Sequence, residues 1–202
     1  METQLTSADN KRIQEGIRGK YNQAAVNPKG LFSYPTGRDG LKALGYDPDL
    51  VKDLPDAVAA SYCGVGNPFS LGTVMKGTSV LDIGCGAGVD TILAARMIGP
   101  NGRAVGIDLV SEMLERGKNN LGMTDLKNVS FIEGSANKLD FPDESFDVVV
   151  SNGVFNLIPA KEAAIAEAFR LLKPGGRFMI ADQVLVGELQ KDLKTRIDTW
   201  FQ

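Results

Sequence analysis

The run Val80-Leu81-Asp82-Ile83-Gly84-Cys85-Gly86-Ala87-Gly88 constrains this chain more than any other stretch. An apolar segment that reads as a strand is interrupted by one acid and passes into three glycines at alternate positions. A helix-like stretch over 90–98 follows at once. Strand, glycine turn and helix N-terminus in that order offer bare backbone amides to a ligand, because glycine tolerates left-handed conformations and places no Cβ in the way. The acid narrows the choice of ligand, since a carboxylate there repels phosphates and attracts a cation.

Around this run the pattern becomes strand, helix, strand. Strands are expected over 79–83, 104–107, 129–132, 146–150 and 177–181, with helices over 90–98, 111–120 and 161–172. Val- and Ile-rich strands without polar alternation, separated by helices, predict a mainly parallel α/β sheet, doubly wound and Rossmann-like, with helices on both faces. Ligands of such sheets lie beyond the carboxyl ends of the strands, where the strand order reverses. Asp108, twenty residues after Gly88, closes the second strand at such an end.

Upstream, Ser7 is expected to cap a helix over 8–25, with Ile13, Ile17 and Tyr21 on one face. Gly16 and Gly19 weaken it by roughly 1 kcal/mol each, so packing has to hold it. A turn-rich stretch over 28–40, short helices over 48–52 and 55–62, and a loop over 64–69 come next. The expected division is a helical lid over 1–77 and a ligand-binding core over 78–202.

Composition excludes several chemistries. The 202 residues, 43% hydrophobic, support one principal domain. A net charge of −3 gives no footprint for nucleic acid. Two cysteines, Cys63 and Cys85, make neither a disulfide framework nor a zinc site, and no metal is expected. With no histidine, Ser-His-Asp hydrolysis and imidazole acid–base chemistry drop out. No secretory or spanning segment is read, so no membrane partner is expected and the cytoplasm is the default compartment.

The dinucleotide fingerprint fails because Val89 stands where the third glycine belongs, and no Gly-Lys-Ser/Thr supports a P-loop. A ligand carrying an ammonium, a sulfonium and a ribose suits Asp82, the amides of the turn and Asp108. Those demands describe S-adenosylmethionine, with S-adenosylhomocysteine as product.

Residues 78–186 resemble class I S-adenosylmethionine-dependent methyltransferases. Val80 to Gly88 matches the family's first glycine motif, and Gly106-Ile107-Asp108 with Ser111-Glu112-Met113-Leu114 is similar to its second. Asp140-Phe141-Pro142-Asp143-Glu144-Ser145-Phe146-Asp147 and Leu172-Lys173-Pro174-Gly175-Gly176-Arg177 match the leads into the last two strands. The resemblance implies Ser135 and Ala136 beside adenine. The cofactor-binding set is then Asp82, Gly84, Cys85, Gly86, Gly88, Asp108, Met113, Ser135, Ala136 and Ser151.

Gly66-Asn67-Pro68-Phe69 and Ser151-Asn152-Gly153-Val154-Phe155-Asn156-Leu157 resemble the arsenite methyltransferase branch. That branch holds its metalloid with thiolates at positions filled here by Val65 and Gly153. Trivalent arsenic needs two or three soft sulfur ligands, and only Cys63 lies near. Tyr34, Cys63, Asn67, Asn152 and Asn156 are the candidate walls of an acceptor pocket.

The function expected is in-line methyl transfer to a small-molecule acceptor. A cofactor-binding but catalytically incomplete module, or an arsenite methyltransferase, are the alternatives. No catalytic residue is assigned. A general base would have to be Asp, Glu, Lys or Tyr, and no acid stands out in the pocket segments, which favours a soft or already ionised acceptor. The family's antiparallel hairpin after the fifth strand has no counterpart in 187–202, which reads as a helix with Leu189, Leu193, Ile197 and Trp200 on one stripe. That helix or a homodimer partner is expected to cover the exposed sheet edge.

Overall fold

A computed structural model describes residues 5–184, 186, 187, 197 and 200. Four helices precede the sheet: α1 (Ser7–Val26), α2 (Gly37–Ala43), α3 (Pro48–Val51) and α4 (Asp56–Ala60). A 3-10 turn, Pro68–Leu71, leads to β1 (Ser79–Ile83), after which α5 (Val89–Ile98), β2 (Arg103–Asp108), α6 (Ser111–Gly122) and β3 (Val129–Glu133) alternate. The chain then crosses back to β4 (Phe146–Asn152), α7 (Lys161–Leu171) and β5 (Leu172–Ala181). The five strands are parallel, in the order β3-β2-β1-β4-β5.

Alternation along the strands sends side chains to two covered faces. Leu81, Ile83, Val105, Ile107 and Val149 pack with Ala164, Ala168 and Leu171 of α7. Val80, Ala104, Val148 and Val150 pack with Ala94, Ala95 and Ile98 of α5. The outer side of α5 is covered in turn. Val89, Ile92 and Leu93 pack with Leu41, Tyr46, Leu54, Val58 and Tyr62 from the N-terminal segment, so α5 is buried on nearly every side.

The strand order reverses at β1, which pairs with β2 on one side and β4 on the other. A crevice therefore opens beyond Ile83, between the ends of β2 and β4. One wall of it is fixed from a distance by Arg170. Its guanidinium donates to the carbonyls of Leu139 (3.1 Å) and Phe141 (2.9 Å), and pairs with Asp143 (2.6 Å) and Glu167 (2.7 Å). This fork holds the segment leading into β4, where Phe141 stands edge-on to Phe146.

Several expected boundaries move. Thr6 caps α1 instead of Ser7, because Asp9 lies three residues on and closes a capping box: Asp9 N–H donates to Thr6 Oγ1 and Thr6 N–H to Asp9 Oδ2. The turn-rich stretch over 28–40 contains the start of α2, which tertiary bonds hold. Gly37 N–H donates to the Tyr62 carbonyl (2.7 Å), and Arg38 donates to the carbonyls of Val51 and Leu54. The helix over 161–172 ends at Leu171. Leu172 already pairs with Phe146, and the strand expected over 177–181 starts there, with an irregular register before Arg177. Among the described residues no strand follows β5. The expected terminal helix lies mostly outside them, Leu189 and Leu193 included. Ile197 is buried, and the Trp200 indole donates to the Leu157 carbonyl at 3.0 Å.

Met113 joins three elements. It is 1% exposed and packs with Ala24 and Ala25 of α1, Val110 and Ala87 of the glycine turn. Met113→Ala is expected to lower unfolding free energy by about 2–4 kcal/mol, read by chemical denaturation.

Candidate functional site

The glycine run folds into a turn fastened to the end of β2. The Gly84 and Cys85 amides both donate to the Ile107 carbonyl at 2.8 Å, and Gly86 N–H donates to Asp108 Oδ2 at 2.8 Å. Gly84 and Gly88 have φ of 73° and 78°, a region that disfavours side chains. A Cβ at Gly84 would run into Val154, and one at Gly88 into the Phe131 ring. Packing and conformation thus both demand glycine. Gly88 also ends the turn as the N-cap of α5, so the backbone passes from bare loop directly into a helix start.

Above this turn lies a cavity of about 160 Å³, open to solvent on one side. Residues 82–87 form its floor, Asp108, Leu109 and Val110 one end, and Ser135, Ala136 and Asn137 the wall next to them. Asn152, Gly153 and Val154 close the β4 end. Gln14, Ile17 and Tyr21 of α1, Tyr62-Cys63-Gly64 and Leu157-Ile158-Pro159 make the outer walls.

Three carboxylates line this cavity, Asp82, Asp90 and Asp108, and no lysine or arginine does among the described residues. Asp108 is held by amides: Gly86 N–H on one oxygen and Val110 N–H (2.9 Å) on the other. Burial raises its pKa against the pull of those amides. Asp82, 2% exposed, accepts a 2.6 Å bond from the Thr91 hydroxyl. Burial, then the charge of Asp90, raises its pKa. Asp90 accepts from the Tyr46 hydroxyl (2.6 Å) and the Asn152 amide (2.9 Å), and burial raises it too.

Asn152 knots this arrangement to the N-terminal segment. Its Oδ1 accepts from the Val65 and Gly66 amides (2.9 and 3.0 Å), and its Nδ2 donates to the Gly66 carbonyl (2.8 Å) as well as to Asp90. The Tyr62 hydroxyl also donates to the Gly66 carbonyl at 2.8 Å. Tyr46 and Tyr62 both have pKa values raised, first by burial and then by Asp90. They keep their protons at neutral pH and act as donors. Cys63 is pushed up to about 12 by burial and by Asp108 and Asp90, so it stands in the wall as a thiol.

The expected site residues divide into two groups. Asp82, Gly84, Cys85, Gly86, Asp108, Ser135, Ala136, Cys63 and Asn152 line the cavity. Gly88 and Met113 do not; they support the turn from behind, against Phe131 and beneath Gly86. The buried Ser151 hydroxyl donates to the Ile83 carbonyl at 2.9 Å and ties β4 to β1. Three expected acceptor-wall residues lie elsewhere. The Tyr34 hydroxyl donates to the Cys63 carbonyl and its ring lines a separate depression with Lys20 and Phe32. Asn67 caps the 3-10 turn and donates to the Gly45 carbonyl. Asn156 bonds Asp182 through its backbone amide and Gln183 through its side chain.

The expectation that no acid stands out in the pocket is overturned by Asp90. Its signal was present: an acid in the first turn of a helix as apolar as Val89-Asp90-Thr91-Ile92-Leu93 has no solvent face to occupy. Ile17 and Tyr21 share one helix face by their spacing, and only the fold turns that face into the crevice. Asn152→Ala removes the acceptor of the Val65 and Gly66 amides and a donor to Asp90. It is expected to lower stability by about 2–4 kcal/mol and to speed amide exchange at 65 and 66, read by denaturation and hydrogen exchange.

Residues 75–201 match the methyltransferase domain family. The arsenite methyltransferase of Halobacterium salinarum is 34% identical over 212 aligned positions, covering 98% of this chain and 54% of that protein. The demethylmenaquinone methyltransferase of Listeria welshimeri is 40% identical over 109 positions, covering 54% of this chain and 46% of its own. This chain therefore spans about half the length of these curated relatives. Among solved structures, an arsenic (III) S-adenosylmethionine methyltransferase from Chlamydomonas reinhardtii matches with TM-score 0.61 and 34% identity, over 66% of this chain and 47% of that one. With the glycine turn, the strand order and these matches in agreement, the chain belongs to the class I S-adenosylmethionine-dependent methyltransferases.

Proposed function

We propose that this chain binds S-adenosylmethionine in the crevice above the glycine turn and transfers its methyl group to a small, largely apolar acceptor. The observation that carries the reading is the electrostatics of the cavity: three carboxylates, no lysine or arginine among the described lining residues, and a floor of backbone. Such a site repels a pyrophosphate and suits a nucleoside with a cationic tail. Asp108 at the end of β2 would accept the ribose hydroxyls, Ser135 and Ala136 would flank the adenine, and the turn would carry the methionyl portion.

When bound, the cofactor supplies a sulfonium-activated methyl group, which an acceptor lone pair can take in line as the carbon–sulfur bond breaks toward a neutral thioether. The protein's share is alignment and exclusion of water. Tyr21 and Ile17 of α1, with Leu157, Ile158 and Pro159, wall the open side and would press an apolar acceptor toward the methyl group. Tyr62 in the cavity wall and its neighbour Tyr46 hold their protons, so a hydroxyl acceptor would rely on Asp82 or Asp90 as base. An already ionised acceptor needs none.

Arsenite fits these walls poorly. Burial raises the pKa of both Cys63 and Cys85, so both stand as thiols. Two or three thiolates are not brought together. No helix among the described residues is long and apolar enough to cross a membrane.

Calorimetry with S-adenosylmethionine and S-adenosylhomocysteine tests the cofactor, and a methyl-release assay over phenol, thiol, amine and arsenite acceptors tests the transfer. Asp108→Ala is expected to weaken both ligands roughly 10- to 100-fold. Unchanged affinity would show the ribose lies elsewhere. Tight binding without turnover on any acceptor would favour a cofactor-binding module instead.

A further inference from the structure

We infer that Trp200 is a positioning residue for the acceptor: its indole holds the backbone at Leu157 and so keeps Leu157, Ile158 and Pro159 as an apolar wall of the cavity. The inference rests on the function proposed above and adds to it the device that sets the acceptor's fit.

The wall is short, and each backbone group along it has a partner. The Asn156 amide donates to Asp182 Oδ2 (3.2 Å), the Leu157 amide to the Val154 carbonyl (2.9 Å) and the Ile158 amide to the Phe155 carbonyl (3.3 Å). Pro159 has no amide to satisfy. Two side chains take the three carbonyls. The Lys161 ammonium donates to those of Asn156 (3.3 Å) and Ile158 (2.7 Å), and the Trp200 indole to that of Leu157 between them (3.0 Å). Lys161 Nζ also lies 5.4 Å from the centre of the Trp200 ring, so the two donors brace each other. With these groups engaged, what Leu157, Ile158 and Pro159 offer the cavity is apolar surface.

Trp200 reaches this wall from 43 residues along the chain. It is half-buried, and its own amide donates to the carbonyl of Ile197, which is 3% exposed. A tryptophan meets both demands of the place, an apolar body and a single donor. The wall has to be firm because methyl transfer depends on a close, aligned acceptor and on exclusion of water. A Leu157 carbonyl that lost the indole would seek another donor and draw the wall with it. An apolar wall also favours an acceptor with an apolar face over a small polar one. A Trp200 that only fastened its own stretch of chain would leave that choice untouched, which separates the two roles.

The test is calorimetry on the protein saturated with S-adenosylhomocysteine, titrated with benzyl mercaptan and with 2-mercaptoethanol, an apolar and a polar thiol of similar acidity. The wild-type protein is expected to bind benzyl mercaptan roughly 10- to 100-fold tighter. Trp200→Phe keeps a ring beside Lys161 and removes the N–H. It is expected to cut that preference about fivefold or more through benzyl mercaptan alone, with S-adenosylhomocysteine affinity within about twofold of wild type. Lys161→Met, which takes the ammonium from the two flanking carbonyls, is expected to act in the same way and stands in if Trp200→Phe does not fold. An undiminished preference, an equal loss for both thiols or for S-adenosylhomocysteine, or a wild-type protein that does not distinguish the thiols would overturn the role of Trp200 while leaving the cofactor reading intact. Failure of the wild-type protein to bind S-adenosylhomocysteine at all would overturn both.

Discussion

The carbonyl of Ile107, at the end of β2, accepts the amides of both Gly84 and Cys85. That shared acceptor bends the chain out of β1 without a side chain in the crevice, and the site follows from it. The bend aims the Gly86 amide at Asp108, so the acid at the end of the second strand is fixed by the same turn. It also starts α5 directly beneath the cavity. Val154 and Phe131 fill the space that side chains at 84 and 88 would take, so the turn is locked from two sides of the sheet.

A second constraint links the N-terminal segment to this core. Asn152 leaves the end of β4 and binds the backbone at 65 and 66, while Tyr46 and Tyr62 reach the same knot from the segment that packs on α5. Much of that segment's apolar surface is buried against α5, as in the packing of Leu41, Leu54 and Val58. Covering the crevice and covering the helix are therefore one packing event. The polar knot sits inside a hydrophobic shell, where unpaired groups are expensive and geometry is correspondingly well defined.

Three carboxylates line one cavity without a lysine or arginine among its described lining residues. Burial raises the proton affinity of all three, and the charge of Asp90 adds to it at Asp82. Local rules of stability are commonly broken where a ligand completes the site. The empty charge balance at Asp82 and Asp90 has the sign that a sulfonium- and ammonium-bearing ligand would correct.

The glycine spacing, the acids at 82 and 108 and the strand–helix alternation were legible in the sequence because they are local: conformation, hydrophobic period and strand-end position are properties of short windows. They determined the parallel sheet, the place of the crevice and the class of ligand. What tertiary structure decided is which distant residues share a wall. The apolar helix start around Asp90 marks it as buried, but only the fold supplies Tyr46 as its partner, and the folded loops turn Tyr34, Asn67 and Asn156, expected in the pocket, to other partners. Even the cap of α1 fell to Thr6 through a bond to Asp9. Contacts across tens of residues depend on how layers pack, and a period of two or of 3.6 carries no information about the neighbour that packing supplies.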